Sequence, residues 1–190
     1  IFVRRPASWG PGLKFASKMV LQVAVVVLGT QLSLRQVAEV GVESFPVMIS
    51  TLTVCLLAAW LLGRAMKIDA DLNVLIGVGT AICGASAIAA VSPVVKARNE
   101  AIAYAVSTIF LFNVLAVLIF PWLGHALGLT QHEFGLFAGT AVNDTSSVVA
   151  TAGIYGSAAL SFAVVVKLVR TLMIIPISLG LAALEARKEA

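Results

Sequence analysis

The sequence predicts an all-α polytopic membrane protein, the central part of a longer fold, with two helices broken or re-entrant near the bilayer centre and arranged as an inverted repeat. Three observations lead there. The 190 residues are 60% hydrophobic and 12% charged, with mean hydropathy +1.03; a soluble domain carries about 25% charged residues. Four stretches are long enough to cross a hydrocarbon core of about 30 Å, which takes about 20 residues. A thirteen-residue phrase occurs twice, at Gly79–Val91 and Gly139–Thr151, with an offset of 60 and five identities. Both copies are apolar at the ends and small or polar in the middle, and paired interrupted segments of this kind are the best sequence pointer to a transporter's binding site.

The spanning stretches are A (13–33), B (45–63), D (101–123) and F (158–184), and the repeated phrase lies in C (72–95) and E (134–154). Trp9, Trp60 and Trp122 fall near segment ends, where indole rings favour the membrane interface. Pro46 opens B, where a missing N–H costs little. Pro121 lies near the end of D, and Pro176 lies within F and is expected to kink it. Cys55 and Cys83 both sit in apolar stretches, so a disulfide framework is not expected. The chain starts at Ile1 with no signal-peptide pattern and reads as a piece of a longer protein, a single membrane domain over 1–190.

Loop charge sets the expected sidedness. Arg4, Arg5, Lys14 and Lys18 precede or open A, which places the start in the cytoplasm by the positive-inside rule. Arg64 and Lys67 lie between B and C, and Lys96 and Arg98 between C and D. The D–E connection has His125, His132 and Glu133 without Lys or Arg, and the E–F connection has no charge. Full crossings of C and E would put Lys96 and Arg98 outside. Re-entrant hairpins, C from the cytoplasm and E from the opposite face, keep every basic loop inside. The hairpin reading is preferred and full crossing stays open. C plus D (72–123) then matches E plus F (134–184) as two antiparallel units, extended by Ala103–Val106 in D against Ser161–Val164 in F at an offset of 58.

The breaks carry the chemistry. Irregular backbone cannot face lipid, so each break is buried in protein or lines a wet cavity. Cys83, Gly84 and Ser86 in C and Asn143, Asp144, Thr145, Ser146 and Ser147 in E are the candidate binding residues. The N–H groups that open the second half of each segment suit anions, and the serines can cap them or donate to a ligand. The carbonyl ends of the first halves suit cations, so the architecture permits either substrate sign. A plainer reading of C is close packing through small residues.

Asp144 is the only acidic residue deep in an apolar segment, and Lys167 and Arg170 are the only deep cations, three apart on one face of F. Each costs about 2.5–3.5 kcal/mol at a helix centre, so pairing or a wet cavity is expected. Either Asp144 caps a half-helix and pairs with Lys167 or Arg170, or one cation pairs with it while the other faces the ligand. In the second case Arg170 would grip an oxyanion through two N–H groups. Asn113, Gln22 and Gln31 read first as interhelical hydrogen-bonding residues. No metal-ligand spacing surrounds the two histidines, and no cofactor or nucleic-acid partner is indicated.

The phrases Gly79–Ala90, Lys96–Ala105, Gly139–Ala150 and Lys167–Pro176 together resemble the YeiH-type family of bacterial membrane proteins, which carries the label of sulfate exporter. The resemblance covers nearly the whole chain. Many members have a His-Glu type of pair where this chain has Asn143-Asp144. The resemblance implies a multi-pass secondary carrier of the bacterial inner (plasma) membrane, with further helices beyond both ends of this chain. The expected substrate is a small anion such as sulfate or sulfite, H+ or Na+ are candidate coupling ions, and a homodimer is the candidate assembly. The alternative is monovalent cation/proton antiport through Asn143-Asp144. An intramembrane protease would need a His or a second aspartate deep in an apolar segment beside Asp144, and the sequence offers neither; a passive channel or a structural subunit also stays open.

Overall fold

The computed structural model describes residues 34–189, and every regular element among them is an α-helix: α1 (Leu34–Ala65), α2 (Ala70–Ala81), α3 (Ala85–Val91), α4 (Asn99–Ala126), α5 (Gln131–Ala141), α6 (Thr145–Tyr155), α7 (Ser157–Thr171) and α8 (Ile174–Glu189). Segment A, Trp9, Gln22, Gln31 and the basic residues of the N-terminus lie outside the described residues. From Ala38 onward the chain forms one compact unit.

Among the described residues, three helical stretches are long and apolar enough to cross a membrane: Ala38–Ala65, Asn99–Ala126 and Ser157–Arg187. The 28 residues of α4 extend about 42 Å at 1.5 Å per residue, more than the hydrocarbon thickness. The helix that contains stretch B, α1, begins earlier than hydrophobicity suggests. Arg35, Glu39 and Glu43 recur every four residues and continue one helical face below the apolar run. Pro46 consequently lies inside α1 and not at its start. In F the interruption falls at Leu172-Met173, just ahead of Pro176. Pro176 sits in the first turn of α8, where helical N–H groups have no partner in any case.

C and E each break in two, as the repeated phrase predicts, at residues 82–84 and 142–144. Both fold back as hairpins, which their ends establish. In the first, Arg98 follows the hairpin and its backbone N–H donates to the carboxylate of Asp71 at the hairpin's start (3.4 Å), while its guanidinium bonds Asp69 and Asp71. In the second, Gln131 at the start of α5 accepts from Ala158 N (3.0 Å) and Ala159 N (3.3 Å) at the start of α7. Tyr155, ending α6, donates its hydroxyl to Leu129 O and stacks on Phe134 at 3.8 Å. A helix that ran on through its break would separate these groups by the full length of both halves. Asp71 and Gln131 differ by 60 in number, as do Arg98 and Ala158, so the same tie closes both hairpins.

The long helices assign the two hairpins to opposite ends. Glu185 of α8 lines one cavity with Asp69, Lys96 and Arg98, at the end where α1 finishes and α4 begins. His132 of α5 lies 3.4 Å from Glu43 of α1, at the end where α4 finishes and α7 begins. The arms of 12 and 11 residues in α2 and α5 reach about 16–18 Å, half of a bilayer core, so the tips approach one another from opposite sides. Gly84 carries φ 72°, and a Cβ there would lie 3.1 Å from Ile109 Cγ2 and 3.6 Å from Asn143 Cβ; the two tips are in contact.

The second hairpin seats against α7 with little room. A Cβ on Gly135 would approach Ala159 O to 2.9 Å, and one on Gly139 would approach Ala163 O to 2.9 Å and Val166 Cβ to 2.8 Å. Small residues four apart on one helix face let the backbones of two membrane helices meet. The Gly84–Ile109 contact and the core of Leu75, Val78, Ile82, Ile88 and Val91 seat the first hairpin against α4. α4 and α1 turn large apolar side chains outward, with Trp60 and Trp122 exposed.

Two outcomes follow. Single cysteines at Asn99 and Ser157, in a background free of Cys55 and Cys83, will react with an impermeant thiol reagent from opposite faces of the membrane; reaction from one face only would exclude the hairpins. Gly139→Val will cost about 1–3 kcal/mol through overpacking against α7, read as a lower midpoint of thermal unfolding in detergent, while Gly153→Val, where no atom lies within 4 Å of a Cβ, will cost less.

Candidate functional site

The last carbonyls of a helix have no partner within it and together carry about half a negative charge. Both α2 and α5 end in this way at the meeting point of the tips, where water is scarce and unmet polar groups are costly. Two cations from α7 meet that need. Lys167 Nζ donates to Ile82 O and to Val142 O, each at 2.9 Å. Arg170 donates from Nε to Ala81 O (2.6 Å), from Nη2 to Thr80 O (3.3 Å) and from Nη1 to Thr140 O. Lys167 and Arg170 are 0% and 1% exposed. Ile82 and Val142 are 60 apart, and so are Thr80 and Thr140. Each cation therefore bridges equivalent carbonyls of the two copies of the repeated phrase.

Asn113 acts with the opposite polarity. From α4 it reaches the second tip, where its Oδ1 accepts the backbone N–H groups of Asn143 (3.0 Å) and Asp144 (3.3 Å). Its place as an interhelical hydrogen-bonding residue is thus specific: a neutral acceptor holds N–H groups where the α7 cations hold C=O groups.

Asp144 is the N-cap of α6, and its carboxylate accepts from Ser146 N at 3.1 Å and from the Ser146 hydroxyl. Among the described residues its oxygens make no salt bridge within 4.0 Å of Lys167 or Arg170. The reason is local. A carboxylate just before a helix finds that helix's free N–H groups first, and the two cations find five backbone oxygens instead. Arg170 likewise has its fork turned onto carbonyls in this conformation, not held free for an oxyanion.

The other candidates gather at the same level. Cys83 and Asn143 are buried, Cys83 as a free thiol. Gly84 supplies the left-handed turn that opens α3. Ser86 and Ser146 are exposed in the first turns of α3 and α6, with Thr145 and Ser147 half-buried beside them. The two α7 side chains, the C-termini of α2 and α5 and the Asp144 carboxylate thus share one small volume at the tips. Sequence reasoning missed Asp71 and Gln131 as the acceptors that close the hairpin mouths. Their offset of 60 was the available signal, but it lies outside the repeated phrase.

The family model described as conserved hypothetical protein 698 matches residues 2–190. A UPF0324 membrane protein of Streptococcus pyogenes serotype M18 is 53% identical over 182 residues, 94% of this chain and 54% of the relative. One from Streptococcus mutans serotype c is 52% identical over 186 residues, 96% of this chain and 54% of the relative. One from Fusobacterium nucleatum is 47% identical over 196 aligned residues, 100% of this chain and 57% of the relative. The chain thus spans about half the length of the curated relatives it matches. No solved structure matches it. Names and helices agree on a multi-pass membrane protein, and the chain belongs to the conserved hypothetical protein 698 family, the YeiH-type UPF0324 membrane proteins.

Proposed function

We propose that this chain is the hairpin-bearing part of a secondary active transporter for a small anion, inorganic or organic, with sulfate and related oxyanions in its range. The anion binds at the hairpin tips near the bilayer midplane, and alternating access moves the tips between the two faces. Residues 72–123 and 134–184 act as two inverted repeats. The observation that carries the reading is the bridging of Ile82 O and Val142 O by Lys167. With the Arg170 contacts, it fills the carbonyl ends that a substrate cation would use and sets both basic side chains of α7 at the tips, beside the first turns of α3 and α6. Ser86, Thr145, Ser146, Ser147 and the Asn143 carboxamide are the neutral donors around it.

A second reading, monovalent cation/proton exchange, draws support from Asp144. Its carboxylate is half-buried at the tip and, among the described residues, makes no salt bridge with either buried cation, a placement that suits a monovalent cation.

Transport by the full-length protein in proteoliposomes separates the two. The anion reading expects sulfate counterflow that survives Asp144→Asn with an altered pH profile. Counterflow is lost in Lys167→Met, which leaves two buried carbonyls unmet at about 1–3 kcal/mol each. Sodium-dependent proton movement that vanishes in Asp144→Asn, with no anion counterflow in the parent, would establish the second reading instead.

A further inference from the structure

A cavity of about 490 Å³ lies between the end of α2, the middle of α4 and the end of α5. Ile109, Phe112, Leu115 and Ile119 line it along α4; Ile109 is buried, and the cavity opens on the side of Phe112, Leu115 and Ile119, which are 59%, 40% and 48% exposed. Where it meets the hairpin tips it is lined by Thr80, Asn113 and Asn143. Asn113 is 3% exposed, and its Oδ1 is committed to the N–H groups of Asn143 and Asp144, so its Nδ2 points away from the tip. Among the described residues that Nδ2 donates to nothing, and the Thr80 hydroxyl and the Asn143 carboxamide are equally without a partner, while none of the three is sealed from a small probe. Two buried carboxamides and a half-buried hydroxyl, all reachable from the cavity, thus present unused donors to an oxygen ligand.

The charge is placed to match. Thr80 O receives Arg170, and Val142 O, next to Asn143, receives Lys167; the polar end of the cavity therefore lies within one residue of both buried cations. The apolar walls cannot replace the hydration shell of a bare dianion, but they reward the burial of methylene groups.

We propose, resting on the anion-carrier reading, that this cavity binds a small amphipathic organic monoanion, a carboxylate or sulfonate on a short apolar body. The head group lies at Asn113 Nδ2, Thr80 and Asn143, and the tail runs along α4. A mostly apolar cavity with a few convergent polar groups is the usual form of a small-molecule site.

The test is calorimetric titration of the full-length protein in nonionic detergent with 1-hexanesulfonate, sulfate and 1-hexanol, together with counterflow of both anions. Hexanesulfonate will bind at least tenfold more tightly than either sulfate or hexanol. Asn113→Asp keeps the acceptor that holds the second tip and deletes the donor, and it will weaken hexanesulfonate at least tenfold. Ile119→Trp, on the cavity wall away from the tips, will do the same by filling the space, and decides the matter if the first variant does not fold. Hexanol binding as tightly as hexanesulfonate, or unchanged hexanesulfonate binding in the folded variants, overturns the proposal. Sulfate bound and exchanged while hexanesulfonate is not also overturns it and leaves the carrier reading intact. Neither anion bound nor exchanged by the parent overturns both.

Discussion

A helix broken inside a membrane leaves C=O and N–H groups where no water can reach them, and everything distinctive in this chain answers that cost. Five carbonyls at the two tips are met by Lys167 and Arg170, two N–H groups by Asn113, and one by the Asp144 side chain. Two charged side chains on α7 would each be expensive in hydrocarbon. Placed against helix C-termini, they offset the cost of the breaks while the breaks offset theirs. Neither feature is stable without the other.

That mutual dependence has a mechanical consequence. Both cations sit on one rigid helix and each touches both hairpins, so a displacement of α7 acts on both tips at once. α4 adds a further link through Asn113. Hydrogen bonds to charged donors contribute about 1.5–3 kcal/mol each, and packed interfaces shift between discrete arrangements more readily than they deform continuously. The tips are thus coupled through α7 in a way that two separately anchored hairpins would not be. The mouths of the hairpins share a tie from a backbone N–H to a side-chain oxygen, to which the first adds the Arg98 guanidinium on Asp69 and Asp71.

Much of this was legible along the chain. The repeated phrase located both breaks to within a residue or two, because small and polar residues around Gly84 and Asn143-Asp144 interrupt otherwise apolar runs. Loop charge favoured hairpins, since Lys96 and Arg98 belong with Arg64 and Lys67. The depth of Lys167 and Arg170 marked them as special. Their partners were not legible. Opposite charge pointed to Asp144, whereas the oxygens they use belong to the backbone of Thr80, Ala81, Ile82, Thr140 and Val142, and a carbonyl leaves no mark in a sequence. Pro46 misled for a related reason: hydrophobicity marks where lipid begins, not where the helix begins.

Composition, periodicity and the internal repeat by themselves determined a membrane-embedded helical chain with two interrupted segments and a buried pair of cations, because those properties depend on solvent and on residues near in sequence. Tertiary structure alone decided that the segments fold back, that their tips touch through Gly84 and Asn143, and that Lys167 and Arg170 join equivalent carbonyls of both copies. Those are contacts between residues about 25 to 90 positions apart, and their energies arise only when distant segments share one low-dielectric volume.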